Sequence, residues 1–153
     1  MPMKQSGFTL LEVLVAMLVL SIGLLGLAGL MASSIRNNQS AYQRTQATWL
    51  AYDIVDRMRT NRAAALANNY DIALGAPAVC AANPPLAGSI AAQDLTGWKN
   101  LLACALPDGN GSVAILADRT VTVTVQWNDS RGIGNDAGNA GNAAQQFQMQ
   151  TQL

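Results

Sequence analysis

The sequence predicts an α+β protein in which one long amino-terminal helix, half of it in a membrane, packs its other half against a small antiparallel sheet. Three observations carry this expectation. Residues Val13 to Ile35 form an apolar run of 23 residues without a charge. Beyond Ile35 no proline appears until Pro77, and Tyr42, Trp49 and Tyr52 recur there at helical spacing. Near the carboxy end, two segments alternate apolar and polar residues with the period of a strand.

As a helix, the uncharged run is roughly 34 Å long, against about 30 Å of hydrocarbon in a bilayer, so it is expected to span a membrane. It is longer than the apolar region of a secretory signal, and Ala32-Ser33-Ser34 is a poor cleavage site for one. Lys4 precedes the run, while Arg36, Arg44, Arg57, Arg59 and Arg62 follow it. Charge counting therefore leaves the orientation ambiguous. Glu12, the one glutamate in the chain, stands where the run begins. Burying it costs about 3 kcal/mol at a helix centre and less near an end, so it needs a partner. A cut between Gly7 and Phe8 would place a new α-amino group one turn away, at i and i+4. The same pairing forms equally well between neighbouring subunits, and the sequence leaves both arrangements open.

The helix is expected to continue to about Ala67, with Tyr42, Trp49 and Tyr52 packed on the head. Asp53 with Arg57 (i, i+4) and Asp56 with Arg59 (i, i+3) suit ion pairs worth a few tenths of a kcal/mol each. Arg57, Arg59 and Arg62 are expected to form a solvated or subunit-contacting face. Residues 68–93 read as a loop, rich in Ala, Gly, Pro and Asn, where Pro84-Pro85 forbids regular helix. A short helix over 94–106 follows, capped by Asp94 or Thr96. Its apolar face is Leu95, Trp98, Leu101, Leu102 and Ala105, and Pro107 stops it.

Asp108-Gly109-Asn110-Gly111 marks a turn. Val113 to Leu116 then reads as a short strand. In a longer one, Val121, Val123, Val125 and Trp127 alternate with polar residues. Phe147, Met149, Thr151 and Leu153 alternate with glutamines in the same way, and these last two strands are expected to pair antiparallel. Between them, Asn128 to Ala144 is a Gly-, Asn- and Ala-rich connection expected to be mobile.

Composition narrows the function. Nine Lys and Arg balance nine Asp and Glu, and only 12% of residues are charged. Nucleic acid is therefore not expected as a direct ligand. Histidine is absent, which excludes Ser-His-Asp and Cys-His centres and His-ligated metals. No enzymatic activity, cofactor or metal is expected; Asp129 and Asp136 do not match the spacing of a calcium loop. The two cysteines, Cys80 and Cys104, lack a zinc partner set, and in an oxidising compartment they read as one disulfide. That bridge would close a 25-residue loop and stabilise the fold by roughly 3 to 4 kcal/mol.

The stretch Lys4-Gln5-Ser6-Gly7-Phe8-Thr9-Leu10-Leu11-Glu12-Val13-Leu14 resembles the class III signal of type IV prepilins and type II secretion pseudopilins. The resemblance implies that residues 1–7 are a leader, that prepilin peptidase cuts after Gly7 and methylates Phe8, and that Glu12 guides subunit assembly. It also implies a type IV pilin-like fold, with residues 8–35 in the inner membrane and 36–153 as a periplasmic head. Lys4 would then be cytoplasmic, and the cysteines would lie in an oxidising compartment. Two departures stand out. Many major pilins carry a proline within the membrane segment, where this chain has only Gly23, Gly26 and Gly29. Their disulfide commonly closes a carboxy-terminal loop, so their adhesive loop does not transfer.

Past the leader, Asp94, Trp98, Leu102, Leu106-Pro107, Gly109, Gly111 and Val125-Gln126-Trp127-Asn128-Asp129 look like minor pilins of the PilV group. This implies a low-abundance subunit that joins other minor pilins to prime assembly at the pilus tip, supporting twitching motility, adhesion or DNA uptake. The implied partners are other minor and major pilins and the inner-membrane pilus assembly platform. The alternatives are a minor pseudopilin of a type II secretion system and a membrane-anchored binding module.

Overall fold

A computed structural model describes residues 7–132 and 141–153. Helix α1 (Leu10–Thr60) runs for 51 residues, about 76 Å at the α-helical rise. Its first half is exposed among the described residues: the most apolar 18-residue window has a mean hydropathy of 2.6 and is entirely unburied. Buried positions begin at Gln43 and recur at Ala47, Ala51, Ile54, Val55 and Met58. At about 3.6 residues per turn these form a single stripe.

The aromatic residues of this region do not lie on that stripe. Tyr42, Trp49 and Tyr52, expected to pack on the head, are 57%, 68% and 52% exposed. They project from the opposite side of α1, and the stripe with Ala47, Ala51, Ile54, Val55 and Met58 faces the core instead. The sheet meets it with Val121, Val123, Val125 and Trp127, all buried, and the two alanines let the surfaces approach.

The helix also ends earlier than expected. It stops at Thr60, where Asn61 leaves helical geometry (φ −114°, ψ 50°), and a single further turn, α2 (Arg62–Leu66), follows. Helix α3 (Ile90–Ala105) begins four residues before the expected Asp94, with Ser89 as its cap accepting from the Ala92 amide at 3.3 Å. Asp94 and Thr96 are unavailable as caps. Asp94 accepts from the Tyr70 hydroxyl (2.5 Å) and from Arg57 (3.4 Å), and the Thr96 hydroxyl donates to the Ala92 carbonyl. Within α3, Ala91, Trp98 and Leu102 are buried and Leu95 is partly so, whereas Leu101 and Ala105 are exposed.

Strands β1 (Asn110–Ile115), β2 (Thr120–Trp127) and β3 (Gln145–Gln152) form one antiparallel sheet in the order β1-β2-β3. The first strand begins three residues before the expected Val113 and stops at Ile115. The register sets Val113 against Val123, Val123 against Met149 and Val125 against Phe147. One sheet face is thereby apolar, and it lies on α1. Residues 67–89 cross from α2 to α3 with an isolated bridge between Ile72 and Val113. Of the connection 128–144, expected to be mobile, residues 133–140 lie outside the described residues.

Helix α3 closes the core. The Trp98 indole is fully buried and donates to the Leu50 carbonyl at 2.8 Å, so it packs against α1 while satisfying its only polar atom. The turn into β1 passes so close that side chains are excluded. A Cβ on Gly109 would meet the Leu102 carbonyl oxygen at 2.0 Å, and one on Gly111 the Trp98 ring at 2.4 Å. Cys80 and Cys104 are joined in a disulfide with Cα atoms 4.7 Å apart, tying the 67–89 segment to the last turns of α3.

These contrasts set a paired expectation for the two tryptophans. Trp98→Ala opens a cavity and should destabilise the head by about 3–5 kcal/mol, whereas Trp49→Ala, on an exposed face, should change stability by less than about 0.5 kcal/mol. Denaturant titration of the detergent-solubilised full chain measures both, and a loss at Trp49 comparable to that at Trp98 would contradict the packing described.

Candidate functional site

The amino-terminal site is built from the start of α1. Gly7, Phe8 and Thr9 precede the helix, and all three are exposed. Thr9 adopts an extended conformation (φ −83°, ψ 148°) and its hydroxyl accepts from the Glu12 amide at 3.3 Å. Threonine followed three residues later by glutamate is the sequence pattern of a capping box. That signal was legible in Thr9-Leu10-Leu11-Glu12, and it explains why the helix begins at Leu10 rather than inside the leader. Glu12 sits in the first turn, where a carboxylate offsets the unsatisfied amides of the helix end.

The Gly7–Phe8 bond therefore lies in exposed backbone just ahead of a capped helix. Among the described residues, a Cβ on Gly7 would meet nothing within 4 Å, so their packing does not require glycine there. Gly23, Gly26 and Gly29 are equally free of neighbours, which suits close approach of another helix. Phe8, 84% exposed, lies with Glu12, Ala16 and Leu20 along a shallow apolar groove on α1. Lys4 lies outside the described residues.

In the head, Arg57 is partly buried while Arg59 and Arg62 stay exposed, as a solvated face requires, and all three make polar contacts within the chain. Arg57 binds Asp53 at 3.0 Å and Asp94 at 3.4 Å; Arg59 binds Asp56 at 3.1 Å and reaches Thr151 at 3.3 Å. Arg62 donates to the Leu153 carbonyl at 3.1 Å. These side chains join the end of α1 to α3 and to the end of β3. Burial, followed by the hydrogen bond to Asp94, pushes the Tyr70 hydroxyl pKa up, which keeps it a donor. Lys99 donates to the Asn110 side chain at 2.5 Å, and its desolvation pushes its pKa down.

A further cluster escaped the sequence reading. The Ser40 hydroxyl donates to Asp129 at 2.5 Å across 89 residues of sequence, beside Gln43 and Asp108. No local pattern marks it. Among the described residues, no three His, Cys, Asp or Glu side chains gather where they could hold a metal ion.

Residues 2–28 match the model of the prokaryotic N-terminal methylation motif. No curated protein and no solved structure matches the chain. The match covers Gly7, Phe8 and Glu12 and ends within the apolar half of α1; it does not reach the head residues that resemble the PilV group. Most of those residues are packing residues, Trp98, Leu102, Gly109, Gly111 and Trp127 among them. They speak for the head's construction, not for a partner surface. The methylation motif, the membrane-capable helix behind it and the α+β head together support a type IV prepilin-like protein.

Proposed function

We propose that the protein is a minor pilin, held in the inner membrane by the first half of α1 and recruited with other minor pilins to prime pilus assembly and occupy the tip. Its work is association, with no chemical turnover. The observation that carries this reading is the exposed Gly7–Phe8 bond one helical turn before Glu12, inside a matched methylation motif. Prepilin peptidase would cut there and methylate the new amine. Methylation keeps the positive charge, so the amine of Phe8 remains a counter-charge for a carboxylate in a low-dielectric setting.

The exposed face of α1 supports association as well. Tyr42, Trp49 and Tyr52 project from the side opposite the head. Exposed aromatic groups on the same helix as an unpartnered apolar span fit a helix that is to be surrounded by other helices. Three spaced glycines in the span favour close contact. The periplasm would then hold the head, where the disulfide persists.

Processing has a direct readout. Intact-mass analysis of the membrane-extracted protein should give a chain beginning at Phe8 and one methyl group heavier than its sequence. Gly7→Leu should leave the precursor in the membrane with its head folded, because the site has no packing role. A Met1 or Met3 terminus in cells with active prepilin peptidase would refute the reading.

Assembly is tested at Glu12. Glu12→Ala removes a charge that is unfavourable in the membrane, so insertion and trimming should proceed at least as well as in the wild type. Recovery with partner subunits should drop about tenfold or more, the effect of losing an ion pair in a desolvated contact. Co-purification from membranes measures it, and undiminished recovery into filaments would remove the assembly role from Glu12. The same experiment separates systems: pilus subunits among the recovered proteins support the minor pilin, and secretion components support a minor pseudopilin instead.

A further inference from the structure

The two edges of the sheet differ in what they leave open. On β1 the residues facing away from β2 are Gly111, Val113 and Ile115, and the chain engages all three amides. They donate to the Asn110 side chain (2.8 Å), the Ile72 carbonyl (2.9 Å) and the Asp71 side chain (3.3 Å). On β3 the opposite holds. The Leu153 amide donates to the Arg119 carbonyl at 3.3 Å, next in register after Gln152 and Thr120. Inward and outward residues alternate along an antiparallel pair, so Gln146, Gln148, Gln150 and Gln152 turn their amides and carbonyls away from β2. Among the described residues, none of these groups has a hydrogen-bond partner.

An open edge is ordinarily blunted by charge, proline, a bulge or brevity. From Gln145 to Gln152, β3 has neither charge nor proline, and each of its residues pairs one to one with β2. Arg59 and Arg62 reach only Thr151 and Leu153 at its end. The glutamines at 146, 148, 150 and 152 are exposed, while Phe147 and Met149, on the face toward α1, are only partly buried. The apolar layer therefore stops unfinished at β3. One further strand would complete both the backbone ladder and this layer.

The direction of β3 limits what that strand is. Ser40 binds Asp129, whose amide meets Asn142 just before β3, whereas Arg59 and Arg62 bind Thr151 and Leu153 at its far end. β3 therefore runs with α1, away from the apolar half. Antiparallel pairing with β3 of a second copy would turn that copy's α1 the other way, so the two apolar halves could not share a membrane. Parallel pairing would lay the copy's apolar face on the glutamine side, and its β1 edge is already engaged. We propose that β3 receives an extended segment of a different pilin subunit, which adds a fourth strand to the sheet. In such strand addition main-chain hydrogen bonds supply the affinity and alternate side chains the specificity. The segment carries apolar residues toward α1, beside Phe147 and Met149, and uncharged polar residues beside the glutamines. This rests on the minor pilin reading, which supplies the subunits.

Hydrogen exchange tests this on the full chain, purified alone in detergent and recovered from membranes with its partner subunits. Alone, the amides of Gln146, Gln148, Gln150 and Gln152 should exchange quickly and those facing β2 slowly. In the recovered complex the outward amides should slow by about tenfold or more, while those of Gly111, Val113 and Ile115 keep their rates. Gln148→Pro removes only an outward amide, at a position where an edge strand tolerates proline, so the melting temperature should stay close to that of the wild type. Its recovery with partners should fall about tenfold or more, since a ladder hydrogen bond to the incoming strand is lost and the ring stands in its way. Met149→Pro, whose amide faces β2, should instead unfold the sheet. Unchanged exchange at β3 in a complex that contains partner subunits overturns the proposal and leaves the minor pilin reading standing. So does undiminished recovery of a folded Gln148→Pro chain. Recovery of no partner overturns both. Protection already present in the chain alone, as a monomer or a dimer, makes this chain or its second copy the occupant and equally overturns the proposal. Should Gln148→Pro fail to fold, the exchange comparison still decides.

Discussion

The head is built against the second half of a helix whose first half has no place in water, and that continuity constrains everything else. Over 51 residues α1 keeps one uninterrupted backbone ladder, so its satisfied amides and carbonyls are tolerable in lipid and in a protein core alike. What changes along it is the side-chain surface. From Val13 to Ile35 the surface is uncharged and mostly apolar; beyond Arg36 a stripe of Gln43, Ala47, Ala51, Ile54, Val55 and Met58 is buried, flanked by partly buried residues such as Leu50 and Arg57. Ala47 and Ala51 let the sheet come close, and β2 packs three valines and a tryptophan into the core that Ile54, Val55 and Met58 share.

The remaining elements seal the flanks of that contact. Helix α3 places Trp98 over α1 and against Gly111, while the Arg57–Asp94–Tyr70–Asn61 chain of polar contacts links α1, the 67–89 segment and α3. Each member satisfies another, which is how a partly buried carboxylate such as Asp94 is accommodated. The disulfide adds a covalent tie where the segment holds little regular structure. Arg59 and Arg62 then secure the end of β3, an edge strand with no charge of its own.

At the other end, Thr9 and Glu12 define where the helix starts, and so where the apolar span begins. Exposed backbone at Gly7–Phe8 suits an enzyme that must grip an extended segment. A glutamate whose carboxylate has no partner among the described residues suits a contact completed on association. These two features are adjacent because both depend on the helix start, and the methylation motif matched over residues 2–28 encloses them.

Much of this was legible in the sequence because it depends on neighbours along the chain. The length and apolarity of the span, the glutamate at its edge, the stop at Pro107 and the period of β2 and β3 are all local, and local geometry follows from residue type. Which face of α1 is buried was not legible. Tyr42, Trp49 and Tyr52 are the aromatic groups and looked like the core, but the face carrying Ala47, Ala51, Ile54, Val55 and Met58 is the one that the sheet and α3 cover. The start of α3 at Ser89 was hidden for a related reason: Asp94 is as good a cap in isolation, and only its engagement by Tyr70 and Arg57 removes it. The meeting of Ser40, Gln43, Asp108 and Asp129 depends wholly on how the helix, the turn and the sheet close on one another. The sequence by itself determined where the helix crosses a membrane and where strands alternate; the tertiary structure decided which surfaces meet, since that turns on the shape and charge of residues far apart in the chain.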